Sequence, residues 1–455
     1  MKKNLNPKLI PSGISRRNSR FASGTIFTLF FSTLFEISKT RFLGKLSDYF
    51  LIKIARIRQN DNFTFAVGLQ LYTKGQHQKA NDLFDMITDF GNLTQRALYL
   101  IALCASWQMD LSILKRIKLE SNCDSLKLFL NGLILHDSSL EASIDSFMRV
   151  HESYLWEHPD KNNSNSLPEY VRNSINVSRP IPQSLVSTSQ NRLLRHLQYE
   201  KVSFAELQLD SSDLILISYT SSYLFALSDL VIGRIRKNNS TSVLLIITIS
   251  EMEDASALSN FCRKLSEKYG KVFWSIIVSS FDLPVLSSVI RLVIAQELFE
   301  MNEINSILIL DGDTSFKHVD PVRVWTSIGR NFDIALLQNR SLCPWERMSL
   351  GFSVLNNSEN TKKFLSQFDL YVTKQLMDGK AFWTLDQTAV FMVLHELEMS
   401  GQGAGTVGIE ILDLSAIVSL DNFIFTDKSL ATLKLKAKMS NRDFIAGMAE
   451  DLYLP

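Results

Sequence analysis

The stretch SILILDGDTSF, residues 306–316, joins a run of apolar residues to two acids, Asp311 and Asp313, that one glycine separates. Its first half predicts a buried strand, because apolar side chains follow one another without a polar break. Two carboxylates that leave a strand at one point repel each other unless a positive charge lies between them. They are hard oxygen ligands that suit Mg²⁺ or Mn²⁺, with phosphate oxygens and water completing the shell. A plain turn with two solvated acids explains the same residues.

Three similar apolar runs precede this strand, and segments of helical pattern separate them. Nearly continuous apolar strands that alternate with helices predict an α/β domain, with a mainly parallel sheet covered on both faces. Ligands bind at the carboxyl ends of the strands in such sheets, and Asp311 and Asp313 are expected at one of those ends. The runs are DLILISYTS (213–221), SVLLIITIS (242–250) and VFWSIIVSS (272–280).

The composition is that of a globular protein and argues against several classes of function. Of the 455 residues, 45% are hydrophobic and 10% are aromatic, which is enough for more than one buried core. Because 48 basic residues nearly cancel 47 acidic ones, we expect no nucleic-acid partner. The four cysteines lack zinc or disulfide spacing and fit a reducing compartment, so we predict a cytoplasmic location.

The pattern changes three times along the chain and predicts four segments. Residues 1–58 form an N-terminal extension whose apolar stretch, within 15–37, is too short for a spanning helix. We interpret that stretch as a short apolar helix packed on its own protein, and an export signal or peripheral membrane contact stays an alternative. Residues 157–195 are rich in Asn, Ser and Pro and predict a linker, which leaves 196–455 for the α/β domain.

The remaining segment, residues 59–156, is predicted to be helical and resembles tetratricopeptide repeats. Small residues at set positions let neighbouring helices approach closely, so that each pair buries one face against the next. An ordinary helical bundle explains the region equally well, and in both cases it is a candidate surface for a protein partner. The matching positions are Gly68, Ala80 and Phe84 in one repeat and Gly132, Ala142 and Phe147 in another.

Three blocks of the α/β domain stand in an order that is more specific than any one of them. They are VIRLVIAQELFEMNEINSILILDGDTSF (289–316), SLGFSVLNNSENTKKFLSQF (349–368) and WTLDQTAV (383–390). Together they resemble the GT-A glycosyltransferases, and especially the retaining, nucleotide-sugar-dependent enzymes of the glycogenin and lipopolysaccharide galactosyltransferase kind. The resemblance covers residues 213–425. It implies a GT-A, Rossmann-like domain that follows an α-helical, tetratricopeptide-like domain.

The resemblance implies a metal-dependent enzyme that moves a sugar from a nucleoside-diphosphate sugar to a glycan, lipid or protein acceptor. It implies that Asp311 and Asp313 hold Mn²⁺ or Mg²⁺ and, through the cation, the donor diphosphate. It places Asp386 and Gln387 beside the reacting sugar as the catalytic residues. The side chains and backbone implied to contact the donor are those of Tyr219, Thr220, Tyr223, Arg291, Asp311 and Gly351.

Several of these residues also have ordinary structural explanations. Tyr223 suits a core position, and Arg291 suits the surface of a helix. Thr384 suits the cap of a helix whose dipole Asp386 would favour. These interpretations stay open at the level of the sequence.

Departures from the family pattern leave other functions open. The family's C-terminal His-x-x-Gly-x-x-Lys segment is absent, and Thr388 replaces an acid often found after Asp-Gln. Ser349 and Leu350 precede Gly351 where Asn and Ala are common. The chain is therefore also a candidate helical-repeat interaction protein with a degenerate nucleotide-sugar-binding domain, or a metal-dependent nucleotidyltransferase. The corresponding end of the chain offers only three possible substitutes for that segment, Asp421, Asn422 and Lys428.

Overall fold

The computed structural model describes most of the chain between residues 44 and 414 and groups it into two compact units. Unit 1 is Met1–Val177 with Arg340–Cys343, and unit 2 is Ser178–Asn339 with Pro344–Pro455. We call them the helical unit and the α/β unit. The described residues are 44–58, 60–73, 76–93, 95–157, 192–199, 212–237, 239–251, 253, 255–301, 304–314, 320–328, 330–339, 341–379, 384–400 and 409–414.

The described part of the helical unit contains seven α-helices. Consecutive helices pack against each other as α2 with α3, α4 with α5, and α6 with α7. They are α1 (Gly44–Arg58), α2 (Asp61–Thr73), α3 (His77–Asp85), α4 (Gln95–Trp107), α5 (Leu111–Glu120), α6 (Asp124–Leu135) and α7 (Leu140–Glu157). The helical character expected for 59–156 is therefore present, and the assignment to tetratricopeptide repeats stays a prediction.

Two glycines set how closely the helices of a pair approach. A Cβ atom at Gly68 would lie 2.5 Å from the ring of Phe84, and one at Gly132 would lie 2.6 Å from the ring of Phe147. The carbonyl oxygen of Gly132 also accepts a hydrogen bond from Ser143 Oγ at 2.6 Å. The small and large positions singled out in the sequence thus meet in the fold, and each ring occupies the space that a side chain on its glycine would need.

A short stretch from much later in the chain completes the helical unit. Residues Arg340–Cys343 cluster with this unit, although the residues on both sides belong to the α/β unit. Leu342 N donates to Ser106 O at 3.3 Å, and Cys343 Sγ lies 3.2 Å from Ser106 Oγ. Ser106, Leu342 and Cys343 are all buried, so this contact is part of the core of the helical unit.

The described part of the α/β unit alternates strands and helices from residue 213 onward. Its strands are β1 (Gln198–Tyr199), β2 (Asp213–Thr220), β3 (Ser242–Ile249), β4 (Val272–Val278), β5 (Ser306–Asp311), β6 (Ile334–Gln338), β7 (Met348–Asn356) and β8 (Ile411–Asp413). Its helices are α8 (Ser221–Arg236), α9 (Ala255–Tyr269), α10 (Leu283–Glu300), α11 (Pro321–Ile328), α12 (Pro344–Arg347), α13 (Glu359–Met377) and α14 (Leu385–Ser400).

The strands of the described residues form one sheet in the order β1-β4-β3-β2-β5-β7-β6-β8. Strands β4, β3, β2 and β5 run parallel, as do β6 and β8, whereas β1 and β7 run antiparallel to their neighbours. The predicted α/β class with a mainly parallel sheet is confirmed. The chain passes from β2 outward to β4 and then returns to the other side of β2 as β5, so the strand order reverses between β2 and β5.

This reversal places the carboxyl ends of β2 and β5 side by side. Ser218 pairs with Asp311 in the register of the two strands, so Thr220 and Asp311 end neighbouring strands at the same edge. In open α/β sheets, the crevice at such a reversal is the usual ligand site. Sheet topology thus locates the candidate site where the stretch 306–316 leaves β5.

Helix α10 lies against this part of the sheet and is buried along most of its length. Asp282 begins it by accepting a hydrogen bond from Val285 N at 3.1 Å, and Pro284 occupies its first turn. The helix packs on β2 and β3 and also contacts α13 and α14. Because it is covered on both sides, a charged residue within it must find partners inside the protein.

The apolar N-terminal stretch singled out in the sequence lies outside the described residues. Within them, no helix combines the length and the hydropathy needed to cross a membrane.

Candidate active site

The carboxyl end of β5 continues into a tight turn, Asp311–Thr314, which we call the acidic turn. Thr314 closes it, because its backbone N donates to Asp311 O at 3.0 Å and its Oγ1 donates to the same oxygen at 2.7 Å. Thr314 Oγ1 also lies 3.4 Å from Gly351 O on β7. The side chains of Asp311 and Asp313 are both partly exposed, so the turn presents two carboxylates at the edge of the sheet.

Arg291 of α10 joins the acidic turn to the start of α14. Its Nη1 lies 2.5 Å from Asp311 Oδ1, and its Nη2 lies 3.5 Å from Asp386 Oδ2. The side chain of Arg291 is only 4% exposed and that of Asp386 only 6%, whereas that of Asp311 is 44% exposed. The alternative interpretation of Arg291 as a helix-surface cation is therefore wrong, since its guanidinium lies inside the protein between two acids.

These two acids keep the guanidinium of Arg291 protonated. Burial lowers the pKa of the guanidinium, but the charges of Asp311 and Asp386 outweigh this effect, so the net shift of the pKa is upward. Asp313 contributes in the same direction. One buried cation therefore faces three carboxylates, those of Asp311, Asp313 and Asp386.

Gly351 lies on the strand next to β5 and gives Asp311 its space. A Cβ atom at position 351 would lie 2.6 Å from Asp311 Oδ2, which is closer than real Cβ contacts come. Glycine is thus required if the carboxylate keeps this position. The two oxygens of Asp311 have different surroundings as a result, with Oδ1 bound to Arg291 and Oδ2 beside the backbone of Gly351.

Tyr219, a predicted donor-binding residue, lies beneath the acidic turn. Its side chain is 1% exposed, and a Cβ atom at Gly312 would lie 2.3 Å from its ring. Its hydroxyl is buried and makes no hydrogen bond to any residue that the structure describes. Burial raises the pKa of this hydroxyl well above its usual range, and the charge of Asp313 raises it further, so the group stays protonated. In this structure Tyr219 supports the turn from below.

Thr220 and Tyr223 lie where β2 passes into α8. Thr220 is the residue before the first helical turn, and its side chain makes no capping hydrogen bond. Tyr223, in the first turn of α8, is half-buried and packs against the core of the α/β unit. Part of its ring thus belongs to the core, and the rest lies at the carboxyl edge of β2.

Asp386 and Gln387 open helix α14, as the pattern WTLDQTAV predicts. The Asp386 carboxylate faces Arg291, while Gln387 is partly exposed. With its amide oriented to satisfy its surroundings, the Gln387 side-chain nitrogen donates to Trp345 O at 2.7 Å and to Met348 O at 3.3 Å. The amide is therefore fixed by backbone groups of α12 and β7.

The capping role considered for Thr384 is wrong. Its hydroxyl is fully buried and makes no hydrogen bond within the described part of the chain, and the same holds for Thr388. The backbone of Thr384 does begin the helix, because its carbonyl oxygen accepts from Thr388 N at 3.0 Å.

Asp311 and Asp313 are the residues of the acidic turn that could hold a divalent cation of the Mg²⁺ type. No group of three or more His, Cys, Asp or Glu side chains suited to a metal occurs in the described ranges, so the protein there offers a pair of carboxylates rather than a closed cage. Mg²⁺ is commonly held in this way, by one or two carboxylates with substrate phosphates and water. The proposed substitutes Asp421, Asn422 and Lys428 lie outside the described residues.

A separate cleft lies at the opposite end of the sheet, where β6 begins, and it has less of the character of a ligand site. The carboxylate of Asp333 at this cleft accepts hydrogen bonds from Ser358 Oγ, from Asn360 Nδ2 at 3.0 Å and from Glu410 N at 2.8 Å. Because the protein itself satisfies this acid, we place the candidate site at the acidic turn, where two partly exposed carboxylates lie at the carboxyl end of β5.

Comparison of the chain with models of protein families gives no match, and neither does comparison with curated proteins. Among solved structures, the chain is similar to the glycosyltransferase GlyE of Streptococcus pneumoniae TIGR4. The TM-score is 0.28, the sequence identity is 11%, and the match covers 53% of this chain and 62% of that one. The chain therefore spans less than two thirds of the length of that structure.

Sequence reasoning missed two contributors to this site. Thr314 carried a local signal, because Asp and Thr at the ends of a four-residue segment with a central glycine are typical of a hydrogen-bonded turn. The contact of Tyr219 with Gly312 carried none, since it depends on which strands become neighbours.

Proposed function

We propose that the α/β unit is a metal-dependent glycosyltransferase that moves a sugar from a nucleoside-diphosphate sugar to an acceptor. The observation that carries the proposal is Arg291, a buried cation that contacts both Asp311 of the acidic turn and Asp386 of the Asp-Gln segment. Gly351, from the second block of the sequence resemblance, lies beside the same Asp311 carboxylate. Blocks that are far apart in the sequence thus supply one cluster at the reversal point of the sheet.

In this proposal Asp311 and Asp313 hold Mn²⁺ or Mg²⁺. When bound, such a cation stabilises the negative charge that develops on a diphosphate leaving group. Arg291 holds one oxygen of Asp311 in place, and Gly351 leaves the other oxygen unobstructed by a side chain. Because Arg291 is enclosed, it fixes the acids without competing with the donor for them.

In this proposal the start of α14 contacts the sugar. Cleavage of the bond to a donor sugar develops positive charge on the sugar ring, which an oriented oxygen can stabilise. Asp386 is buried against Arg291 and so acts by positioning. The Gln387 nitrogen is engaged by Trp345 O and Met348 O, and in this proposal its side-chain oxygen contacts the sugar or the acceptor hydroxyl.

In the same proposal the carboxyl end of β2 binds the nucleoside. Thr220 and the exposed part of Tyr223 lie at that edge, next to the acidic turn in the sheet register. An aromatic face at this place suits a base by stacking. The acceptor is a glycan, a lipid or a protein, and the helical unit is the candidate surface for a protein acceptor or partner.

Replacement of Asp313 by Asn tests the metal assignment. The amide keeps the size of the side chain but reduces the negative charge, so binding of a nucleoside diphosphate in the presence of Mn²⁺ should weaken while the fold is retained. The measurement is a thermal-shift and calorimetric screen of nucleoside diphosphates and their sugars, with and without Mn²⁺. Asp378→Asn, which removes a surface acid paired with Lys374, is the matched control. Equal Mn²⁺-dependent binding by both variants and the parent would remove Asp313 from the site.

Replacement of Gln387 by Ala tests catalysis separately from binding. If the amide oxygen acts mainly in the transition state, kcat should fall on the order of tenfold to a thousandfold while donor affinity changes little. Sugar transfer or donor hydrolysis is measured beside calorimetric donor binding. A parallel loss of affinity and kcat would assign Gln387 to ground-state binding instead.

A second candidate is a nucleotide-sugar-binding module without turnover. The absence of a third metal ligand among the described residues favours it. Donor binding by the parent chain without transfer or hydrolysis of any donor would select this candidate.

A further inference from the structure

Tyr219 combines two features that packing alone does not require. Its ring lies under Gly312, at the centre of the acidic turn, so close that any side chain at position 312 would displace it. Its hydroxyl is fully enclosed by the protein, yet it makes no hydrogen bond to a described residue. A buried hydroxyl without a partner costs roughly 1 to 3 kcal/mol, so phenylalanine would be the more stable choice for a ring that only fills space.

The charge of one acid in the acidic turn acts on this hydroxyl. Among the charged groups of the described residues, Asp313 is the one whose charge raises the pKa of Tyr219. The ring of Tyr219 also contacts Gly312, which is bonded directly to Asp313. The position of Tyr219 in turn is fixed by β2, where Thr248 Oγ1 of β3 lies 3.4 Å from its carbonyl oxygen.

We infer that Tyr219 is a positioning residue of the acidic turn, whose ring sets the height of Gly312 and whose hydroxyl donates to the Asp313 carboxylate when a divalent cation is bound. The inference rests on the proposed function. If Asp313 holds a cation, a hydrogen bond from the Tyr219 hydroxyl to the Asp313 carboxylate would keep that carboxylate in the orientation that binding needs. Outer hydrogen bonds of this kind commonly change metal affinity tenfold or more.

A positioning role predicts opposite effects on the metal-free protein and on cation binding. Tyr219→Phe keeps the ring and removes a hydroxyl without a partner, so the metal-free protein should be as stable as the parent or more stable. The same substitution should weaken binding of Mn²⁺ about tenfold. A merely structural hydroxyl would lower stability and leave the affinity for Mn²⁺ unchanged.

The experiment uses the full chain and Mn²⁺ alone, with free Mn²⁺ measured by electron paramagnetic resonance. Each variant is titrated beside a thermal melt without metal. Tyr371→Phe is the matched control, because Tyr371 of α13 is buried to the same 1% as Tyr219. Tyr219→Leu is the second variant, and it should weaken Mn²⁺ binding at least as much as Tyr219→Phe because it also removes the ring beneath Gly312.

The outcomes separate this inference from the proposed function. Weaker Mn²⁺ binding by Tyr219→Phe, with metal-free stability retained and Tyr371→Phe unchanged, supports it. Binding of Mn²⁺ by the parent and by Tyr219→Phe with equal affinity would overturn the inference and leave the metal-dependent function standing. A parent chain that binds no Mn²⁺ would overturn both.

Discussion

In both units of the molecule an aromatic ring occupies the space of a glycine's missing side chain, but the two contacts differ in what surrounds the ring. In the helical unit, the ring of Phe147 lies against Gly132 and packs edge to face on Phe129, with centroids 5.9 Å apart. In the α/β unit, Tyr219 lies against Gly312 within the reach of charged groups. The first contact brings two helices together. The second supports a turn that carries carboxylates, so the same device serves packing in one unit and a polar site in the other.

This difference predicts that the stability of the α/β unit depends most on a charged residue, Arg291. Replacing Arg291 with Met leaves two acids without their buried partner, which should cost about 3 to 5 kcal/mol of stability. Hydrogen exchange measured by mass spectrometry should show faster exchange in β5 and α10, while α6 and α7 of the helical unit serve as the internal control.

Removing the second charge sharpens this test. Arg291→Met combined with Asp386→Leu replaces the buried Arg291–Asp386 ion pair by apolar side chains, so part of the lost protection should return. If the single variant exchanges like the parent, the ion pair contributes nothing to stability.

A change of pH tests a second charged group of the α/β unit, the carboxyl of Asp369. Burial raises the pKa of Asp369 on α13 to about 6, even though Leu193 N and Thr373 Oγ1 donate to it. Because the folded pKa lies above the unfolded value of 3.8, the stabilisation is present below about pH 4 and is lost as the pH rises through 6. Asp369→Asn should therefore be more stable than the parent at pH 7, by up to roughly 3 kcal/mol.

The comparison of Asp369→Asn with the parent is made by urea unfolding at several pH values. The two stability curves should converge near pH 4, where the parent carboxyl is neutral. A difference that stays constant from pH 4 to pH 7 would show that the effect of the substitution is unrelated to ionisation.

Substitution of Gly312 by Ala tests the contact in the α/β unit directly. The added methyl group would meet both the Tyr219 ring at 2.3 Å and the backbone oxygen of Ser218 at 3.0 Å. Because a backbone atom cannot move aside as a side chain does, we expect a loss of about 2 kcal/mol by urea unfolding. Combining Gly312→Ala with Tyr219→Leu should restore little of the lost stability. Full restoration would mean that the Tyr219 ring alone makes the glycine necessary.

Substitution of Gly132 by Ala should have the smallest effect. The overlap with the Phe147 ring is unfavourable, but alanine is favoured over glycine within a helix by about 1 kcal/mol, so the net loss should be about 1 kcal/mol. On a Phe147→Leu background, the same substitution should become stabilising, as followed by the melting of the helical unit. A further loss on that background would break the contrast between the two units.

Local patterns predicted the elements of this fold, whereas the contacts at the site depended on topology. The run at 306–311 and its acids gave β5 and the acidic turn, because strand character and turn chemistry are properties of neighbouring residues. Arg291, Asp311 and Asp386 meet in the structure, which agrees with the resemblance that rests on the order of the three sequence blocks. The contact of Tyr219 with Gly312 could not be predicted, because it requires β2 and β5 to be neighbours although two strands intervene in the sequence.

The stretch Arg340–Cys343 also has a consequence for biosynthesis. The helices of the helical unit end at Glu157, yet the groups that meet Ser106 are supplied by Leu342 and Cys343. At ribosomal speeds, the roughly two hundred intervening residues take about 10 to 40 s to appear. The first unit to leave the ribosome is therefore completed only after most of the second has been synthesised, and a nascent chain spends that interval with the surface around Ser106 uncovered.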